Sequence, residues 1–184
     1  MKNNGKVVVA IAAVVAVLGW WLYSRRSAQD NVIDLVATFP QAEHRSKSTP
    51  PESAFQVGSV TIDGQARRTI LAKPFSRITY TVTVPPDAWL EVNFAMQPES
   101  WDQPGDGAQF RIGVSEGRNY DEILKQYVNP KRGDRRWFSA RLDLAAYEGH
   151  QVKLIFSTDP GPESKGTLEN DLAVWGEPHL YSKR

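Results

Sequence analysis

The apolar and polar positions of this chain follow two different patterns, and the first is an unbroken apolar run near the amino terminus. From Val7 to Ser24 the sequence has 18 uncharged residues, bracketed by Lys6 and Arg25. A helix rises about 1.5 Å per residue, so the run would extend about 27 Å, close to the roughly 30 Å hydrocarbon core of a bilayer. The pattern therefore predicts one transmembrane α-helix, with residues 1–26 forming an amino-terminal tail and anchor.

The membrane boundary is predicted at the carboxyl end of this run. Trp20, Trp21 and Tyr23 lie together there, where amphipathic rings prefer the headgroup level, and Arg25 and Arg26 follow them. A cleaved signal peptide is the main alternative, but these bulky residues do not offer the small residues that a cleavage site needs. The flanking basic residues are nearly balanced, and we expect an internal amino terminus with a periplasmic or extracytoplasmic domain.

Residues 27–54 lack a sustained period. Asp30–Phe39 mixes apolar and polar positions and fits either a segment on the membrane surface or the start of a first strand. Gln41–Ser53 is rich in proline, serine and charge, which is typical of a linker or an irregular excursion. We therefore expect 27–54 to be a juxtamembrane segment and linker.

From Phe55 onward the period changes to two, which is typical of strands with one buried face. Turn sequences rich in glycine, proline and aspartate separate the alternating runs. One stretch, Asn119–Val128, fits a helix or an irregular strand. The sequence thus predicts that residues 55–184 form an all-β domain, an antiparallel β-sandwich (jelly roll). Five runs carry the alternation: RITYTVTV, WLEVNFAM, AQFRIGV, FSARLDL and VKLIF.

Charge and composition exclude several functions. All 21 acidic residues and 20 of the 22 basic ones lie beyond Ser24, and this near balance argues against nucleic acid as a partner. Without cysteine there are no disulfides, thiolate metal sites or cysteine nucleophiles. The three histidines, His44, His150 and His179, belong to no recognisable catalytic motif, so we expect a non-enzymatic protein without a cofactor.

Three segments taken together resemble a known group of domains. Their phrases are G-D-G-x-x-F, D-L-x-x-Y-x-G-x-x-V-x-L-x-F and D-x-A-x-W-G-x-P. They resemble the galactose-binding-like jelly-roll modules, which include carbohydrate-binding modules attached to glycosidases. The resemblance covers roughly the last 80 residues well, and it implies a fold more specifically than a function. The segments are Gly105–Val114, Asp134–Thr158 and Asn170–Leu180.

The resemblance also implies candidate binding residues. Sugar recognition uses an aromatic plane with polar side chains beside it. Trp101, with Asp102 and Asp106 in the same loop, is one candidate, and Trp137, whose parity places it on an outer face, is another. The resembling ending places Trp175 against the sheet, as a packing residue.

A structural calcium is present in many such modules, and that hard cation requires oxygen ligands. Asp106, Glu169 and Asp171 are the plausible contributors here. Their spacing matches no ligand pattern, so the metal content stays unknown.

Two functions fit these observations. The first is a membrane-anchored accessory or scaffolding subunit that docks on the extracytoplasmic side of a larger integral membrane complex, whether secretion, respiratory, photosynthetic or envelope. Its partners would be the lipid bilayer and other integral membrane subunits. The second is a membrane-tethered carbohydrate-binding module with a glycan as partner. A carbohydrate module used for targeting usually shares its chain with a catalytic domain, and this favours the first interpretation.

Overall fold

The computed structural model describes residues 31–47, 49–162 and 168–183. Eleven strands in these residues form two sheets, and one compact unit spans Val32–Ser182. All pairings among β2 to β11 are antiparallel, which confirms the predicted all-β antiparallel sandwich. The strands are β1 (Asn31–Asp34), β2 (Glu43–Ser46), β3 (Phe55–Ile62), β4 (Gln65–Ala72), β5 (Ser76–Thr83), β6 (Trp89–Met96), β7 (Ala108–Glu116), β8 (Asn119–Val128), β9 (Phe138–Asp143), β10 (Gln151–Pro160) and β11 (Ala173–Ser182).

The two sheets divide the strands between them. Sheet A has the order β3-β4-β11-β6-β9, with β1 beside β11, and sheet B has the order β2-β5-β10-β7-β8. Consecutive strands therefore often lie in different sheets, and the chain passes repeatedly from one sheet to the other. This arrangement brings β11, the last strand, between β4 and β6 in the middle of sheet A.

The core lies between the inner faces of the two sheets, where the period-two pattern predicts it. The inward positions of β5, β6, β7 and β10 are buried almost throughout. Trp175 from β11 is fully buried, and its indole Nε1–H donates to Oγ1 of Thr158 at 3.2 Å. Its ring lies 4.9 Å from the ring of Phe110 and 5.1 Å from that of Phe156, both edge-on. The predicted packing role of Trp175 is confirmed.

Sheet A also buries apolar residues on its outer side. This second, smaller cluster has Trp101, Trp137 and Leu172 packed against it. Sheet A therefore has an apolar patch on the face that would normally meet solvent. The buried members of the cluster are Val60, Ile62, Leu71, Ala95 and Val174.

The segment expected to be a linker is part of the sandwich from residue 31 onward. Strand β1 joins sheet A, strand β2 pairs with β5 in sheet B, and the turn between them buries Leu35 and Val36. The ring of Phe39 stacks on His44 at 4.1 Å. The start of a first strand was one of the two alternatives for Asp30–Phe39, and β1 confirms it. Strand β2 has only four residues and is a polar edge strand, so the pattern could not reveal it.

The stretch that fitted a helix or a strand is strand β8, which pairs with β7 along its length apart from a bulge near Gly113. A Cβ at Gly113 would lie 2.4 Å from ring atoms of Tyr120, so the glycine makes room for that ring. The described α-helix is a single turn, α1 (Pro51–Ala54).

The predicted membrane anchor and its boundary residues lie outside the described part of the chain. This applies to the run from Val7 to Ser24 and to Trp20, Trp21, Tyr23, Arg25 and Arg26. Among the residues that are described, no helix combines the length and the apolar character needed to cross a bilayer. The anchor stays a prediction.

Candidate functional site

Trp101, predicted as an exposed stacking residue, is half-buried in the loop after β6. Its indole Nε1–H donates to the carbonyl oxygen of Met96 at 2.9 Å, and its ring packs against both apolar clusters. The guanidinium of Arg135 lies 5.6 Å from the ring centroid and donates to Asp102 at 2.5 Å. The structure thus brings Trp101 and Asp102 together through Arg135, and the contacts of Trp101 serve packing.

Asp106 lies in a different place, beside Asp171. The backbone N–H of Gly107 donates to Oδ1 of Asp171 at 3.1 Å, and a Cβ at Gly161 would lie 3.0 Å from Oδ2 of Asp106. Within the described part of the chain, Oδ2 of each of these two carboxylates is buried without a hydrogen-bond partner. The space between Trp101 and Asp171 is only about 10 Å³, roughly the room that one water needs.

Carboxylate oxygens are ligands that calcium accepts, but calcium takes about six to eight oxygens. The described residues include no cluster of three or more His, Cys, Asp or Glu side chains placed to hold a metal ion. The side chain of Glu169, the third candidate, is outside the described part. Asp106 and Asp171 are thus the two described carboxylates of the predicted set, and the metal content stays unknown.

Burial raises the pKa of the Asp171 carboxyl from 3.8 to about 6, and the charge of Asp106 acts in the same direction. Between these two values the folded chain binds more protons than the unfolded chain, so the free energy of unfolding falls as pH rises. Asparagine does not titrate, but its side-chain oxygen can still accept the hydrogen bond from the Gly107 N–H. Asp171→Asn should therefore reduce the decrease in the free energy of unfolding by about 1–3 kcal/mol. Urea unfolding of both proteins at pH 4 and pH 7, in EDTA, measures this difference in the free energy of unfolding. An unchanged pH dependence in the variant would contradict its assignment to Asp171.

Trp137, the second predicted aromatic, lies on the outer side of sheet A, as its parity predicts. Its six-membered ring packs on Gly176, where a Cβ would lie 3.0 Å from Cζ3 of the indole. The indole Nε1–H donates to the carbonyl oxygen of Gln65 at 3.2 Å. Arg67 is 5.6 Å from the ring centroid and forms a 2.7 Å ion pair with Glu177. Trp137 is thus a half-buried aromatic residue bordered by paired charges.

A surface that sequence reasoning did not single out lies on the outer side of β6, β9 and β11. Aromatic and polar side chains alternate with buried ones along these three adjacent strands. We call this surface the aromatic face. It consists of Trp89, Glu91, Asn93, Ser139, Arg141, Asp143, His179 and Tyr181.

Planar groups stack at one end of the aromatic face. The rings of Trp89 and Tyr181 are directly opposite each other, 5.4 Å apart and within 10° of parallel. The guanidinium of Arg141 lies 4.3 Å from the centroid of the Trp89 ring. The Trp89 Nε1–H donates to Glu91 at 2.9 Å, and the ring of His179 is 5.9 Å from that of Tyr181. Apolar ring surface thus lies beside both hydrogen-bond donors and acceptors.

The signal for this site was present in the alternation itself. Trp89 occupies an outward position in WLEVNFAM, where a solvent-facing strand position usually carries a polar residue. Tyr181 lies more than 90 positions away in the chain, and a bulge between Gly176 and His179 shifts its parity. The pairing of β11 with β6 had to be known before the two rings could be placed together.

Comparison of the sequence with known proteins gives a relative but no family. No family model matches the chain. An uncharacterized protein of Archaeoglobus fulgidus is 30% identical over 143 residues, which cover 73% of this chain and 35% of that protein. The chain therefore spans about a third of the length of this curated relative.

Solved structures with a similar fold are carbohydrate-binding modules. A CBM51 module from Clostridium perfringens GH95, in complex with methyl-galactose, matches over 82% of this chain and 99% of its own, with a TM-score of 0.51 and 13% identity. A structure of CBM51-2 and INT domains from Clostridium perfringens ZmpB matches over 83% of this chain and 32% of its own, with a TM-score of 0.55 and 13% identity. TmCBM61, in complex with beta-1,4-galactotriose, matches over 82% of this chain and 94% of its own, with a TM-score of 0.52 and 11% identity. The chain has the jelly-roll fold of these modules.

Proposed function

We propose that this chain is a non-catalytic glycan-binding module that recognises a sugar residue on the aromatic face of sheet A. The observation that carries the proposal is the stacked group of Trp89, Tyr181 and Arg141, with hydrogen-bonding side chains around it. The similar structures support it, because two of them were solved with bound sugars: methyl-galactose and beta-1,4-galactotriose. This proposal replaces the docking subunit that sequence reasoning favoured, for which the aromatic face supplies no argument.

The chemistry of the aromatic face suits a pyranose ring. A sugar presents apolar C–H groups on its faces and hydroxyl groups at its edge, so it pairs with an aromatic ring that has polar neighbours. Arg141 is 62% exposed at its side chain, so its guanidinium can leave the Trp89 ring when a sugar stacks there. Glu91 then accepts hydrogen bonds from hydroxyl groups, and Arg141 donates to them.

A longer glycan would extend along the strands toward Trp137. From Trp89 to Asn93, which is next to Gly176 and the Trp137 ring, β6 advances by roughly 13 Å at about 3.3 Å per residue. At the far end of this stretch, the side chains of Asn93 and Ser139 are joined by a 2.6 Å hydrogen bond. We assign Trp137 to the far end of the same binding surface, while Trp101, Asp102 and Asp106 are not part of it.

Screening the purified full-length chain on a glycan array, beginning with galacto-oligosaccharides, tests the proposal. For the best neutral ligand we expect Trp89→Ala to lower affinity by about 10- to 100-fold, because the variant loses the ring on which the sugar stacks. Tyr120→Ala removes an aromatic residue that is 46% exposed on sheet B, and it should leave affinity unchanged. Equal losses in both variants, or no glycan bound by the parent chain, would contradict the proposal.

A further inference from the structure

A row of positively charged side chains crosses the outer face of sheet B. In the ladder, Arg45 is opposite Arg77, Arg77 is opposite Ser157, Ser157 is opposite Arg111, and Arg111 is opposite Lys125. Neighbouring strands are about 4.8 Å apart, so the row spans roughly 19 Å. We call its four basic residues, Arg45, Arg77, Arg111 and Lys125, the cationic row.

Two pairs in this row place like charges directly opposite each other, an arrangement that destabilises a sheet. The arginine on β7 is compensated, because it pairs with Glu122 and, at 3.2 Å, with Asp159. The arginine on β2 donates from Nε to Glu43 at 2.7 Å. Arg77 is exposed and forms no ion pair with any residue that the structure describes. Uncompensated positive charge therefore lies at the β2–β5 end of the cationic row.

A groove of about 500 Å³ opens at that same end. Three cations, Arg45, Lys47 and Arg77, line it together with one acid, Asp159, and with Phe75, which is 42% exposed. Ser76 also lines the groove; it is only 5% exposed, and its Oγ has no hydrogen-bond partner in the described part of the chain. The groove thus combines excess positive charge, an exposed ring and a buried hydroxyl group without a partner.

We propose that this groove binds the carboxylate or sulfate group of an acidic sugar residue in a glycan. Arginine side chains hold such oxyanions through charge-assisted hydrogen bonds. Phe75 offers a ring against which the apolar face of the sugar packs. The inference rests on the proposed glycan recognition and extends it to a second face, which selects anionic glycans.

Other anionic partners fit the groove less well. Nucleic acid and anionic bilayers are bound through many phosphate groups, and the acids Glu43, Glu122 and Asp159 interrupt the positive charge along the row. A single anionic substituent beside a sugar ring needs only the few cations at the groove. The concave shape and the exposed Phe75 ring favour a sugar over a flat charged surface.

Binding of polygalacturonate and of heparin to the full-length chain, with neutral galactan as reference, tests this inference. We expect at least one of the two acidic glycans to bind, and Arg77→Glu to lower its affinity about tenfold or more, because a charge-assisted contact becomes repulsive. The matched variant Arg118→Glu makes the same change of charge in the β7–β8 turn, away from the row, and should leave that affinity unchanged.

Further variants and probes separate this inference from the proposed function. Trp89→Ala should weaken binding of the neutral glycan and leave the contribution of Arg77 to acidic-glycan binding intact. The inference is overturned if neither acidic glycan binds, or if Arg77→Glu and Arg118→Glu weaken binding equally. It is also overturned if duplex DNA or phosphatidylserine vesicles bind as tightly as the acidic glycans and lose binding equally in Arg77→Glu.

Discussion

Replacing Phe110 by alanine is expected to lower the free energy of unfolding by about 3–5 kcal/mol. Phe110 is fully buried, and its ring touches the centre of the core, 4.9 Å from Trp175 and 5.1 Å from Phe94. Truncation removes the transfer free energy of the ring and leaves a cavity that rigid neighbouring strands cannot close. The loss is a large part of the roughly 5–15 kcal/mol that stabilises a typical domain.

Urea unfolding followed by circular dichroism measures this loss. Thr81→Ala is the control, because Thr81 is exposed on the outer side of β5 and its truncation should change stability by less than about 0.5 kcal/mol. Similar losses in the two variants would mean that the inward and outward faces of the sandwich are assigned incorrectly.

Replacing Gly107 by alanine is expected to be at least as damaging, costing about 3 kcal/mol or more. The backbone there has φ near +85°, and a Cβ would lie 2.1 Å from the carbonyl oxygen of Val128. That atom belongs to the backbone of β8, so it cannot move away as a flexible side chain could. The N–H of Gly107 also donates to Asp171, and any shift of the chain would break this contact.

A second glycine separates the clash from the unusual backbone angle. Gly117 also has positive φ, near +59°, but a Cβ there would meet nothing within 4 Å. Gly117→Ala should therefore cost only about 1 kcal/mol, the strain of placing a side chain in the left-handed region. Thermal unfolding of both variants compares them, and equal losses would contradict the close packing of the turn before β7 against β8.

The alternation of apolar residues was sufficient to predict the sandwich. In strands such as β6 and β10, every second residue faces the core, and this periodicity is a local property that needs no knowledge of pairing. The same reasoning placed Trp137 on an outer face and, with the resemblance, Trp175 inside. Strand β1 was expected as one of two alternatives, whereas β2 escaped prediction because its four residues gain stability from the neighbouring strand β5 and carry no pattern of their own.

The candidate sites depended on information that a local pattern lacks. Trp89 and Tyr181 meet only because β11 lies beside β6, and Arg45 and Arg77 meet only because the edge strand β2 pairs with β5 in this register. Residues chosen from one loop, such as Trp101 and Asp106, were neighbours in sequence but face different surroundings. Long-range strand order decides which side chains share a face, and the sequence alone does not state it.

A crystal structure of the full-length chain with its best neutral oligosaccharide tests the central claim most directly. We predict a sugar ring in contact with Trp89 and Tyr181, with hydroxyl groups hydrogen-bonded to Glu91 and Arg141. A sugar bound instead at the loop that carries Trp101 and Asp102, with the aromatic face empty, would contradict the proposed site.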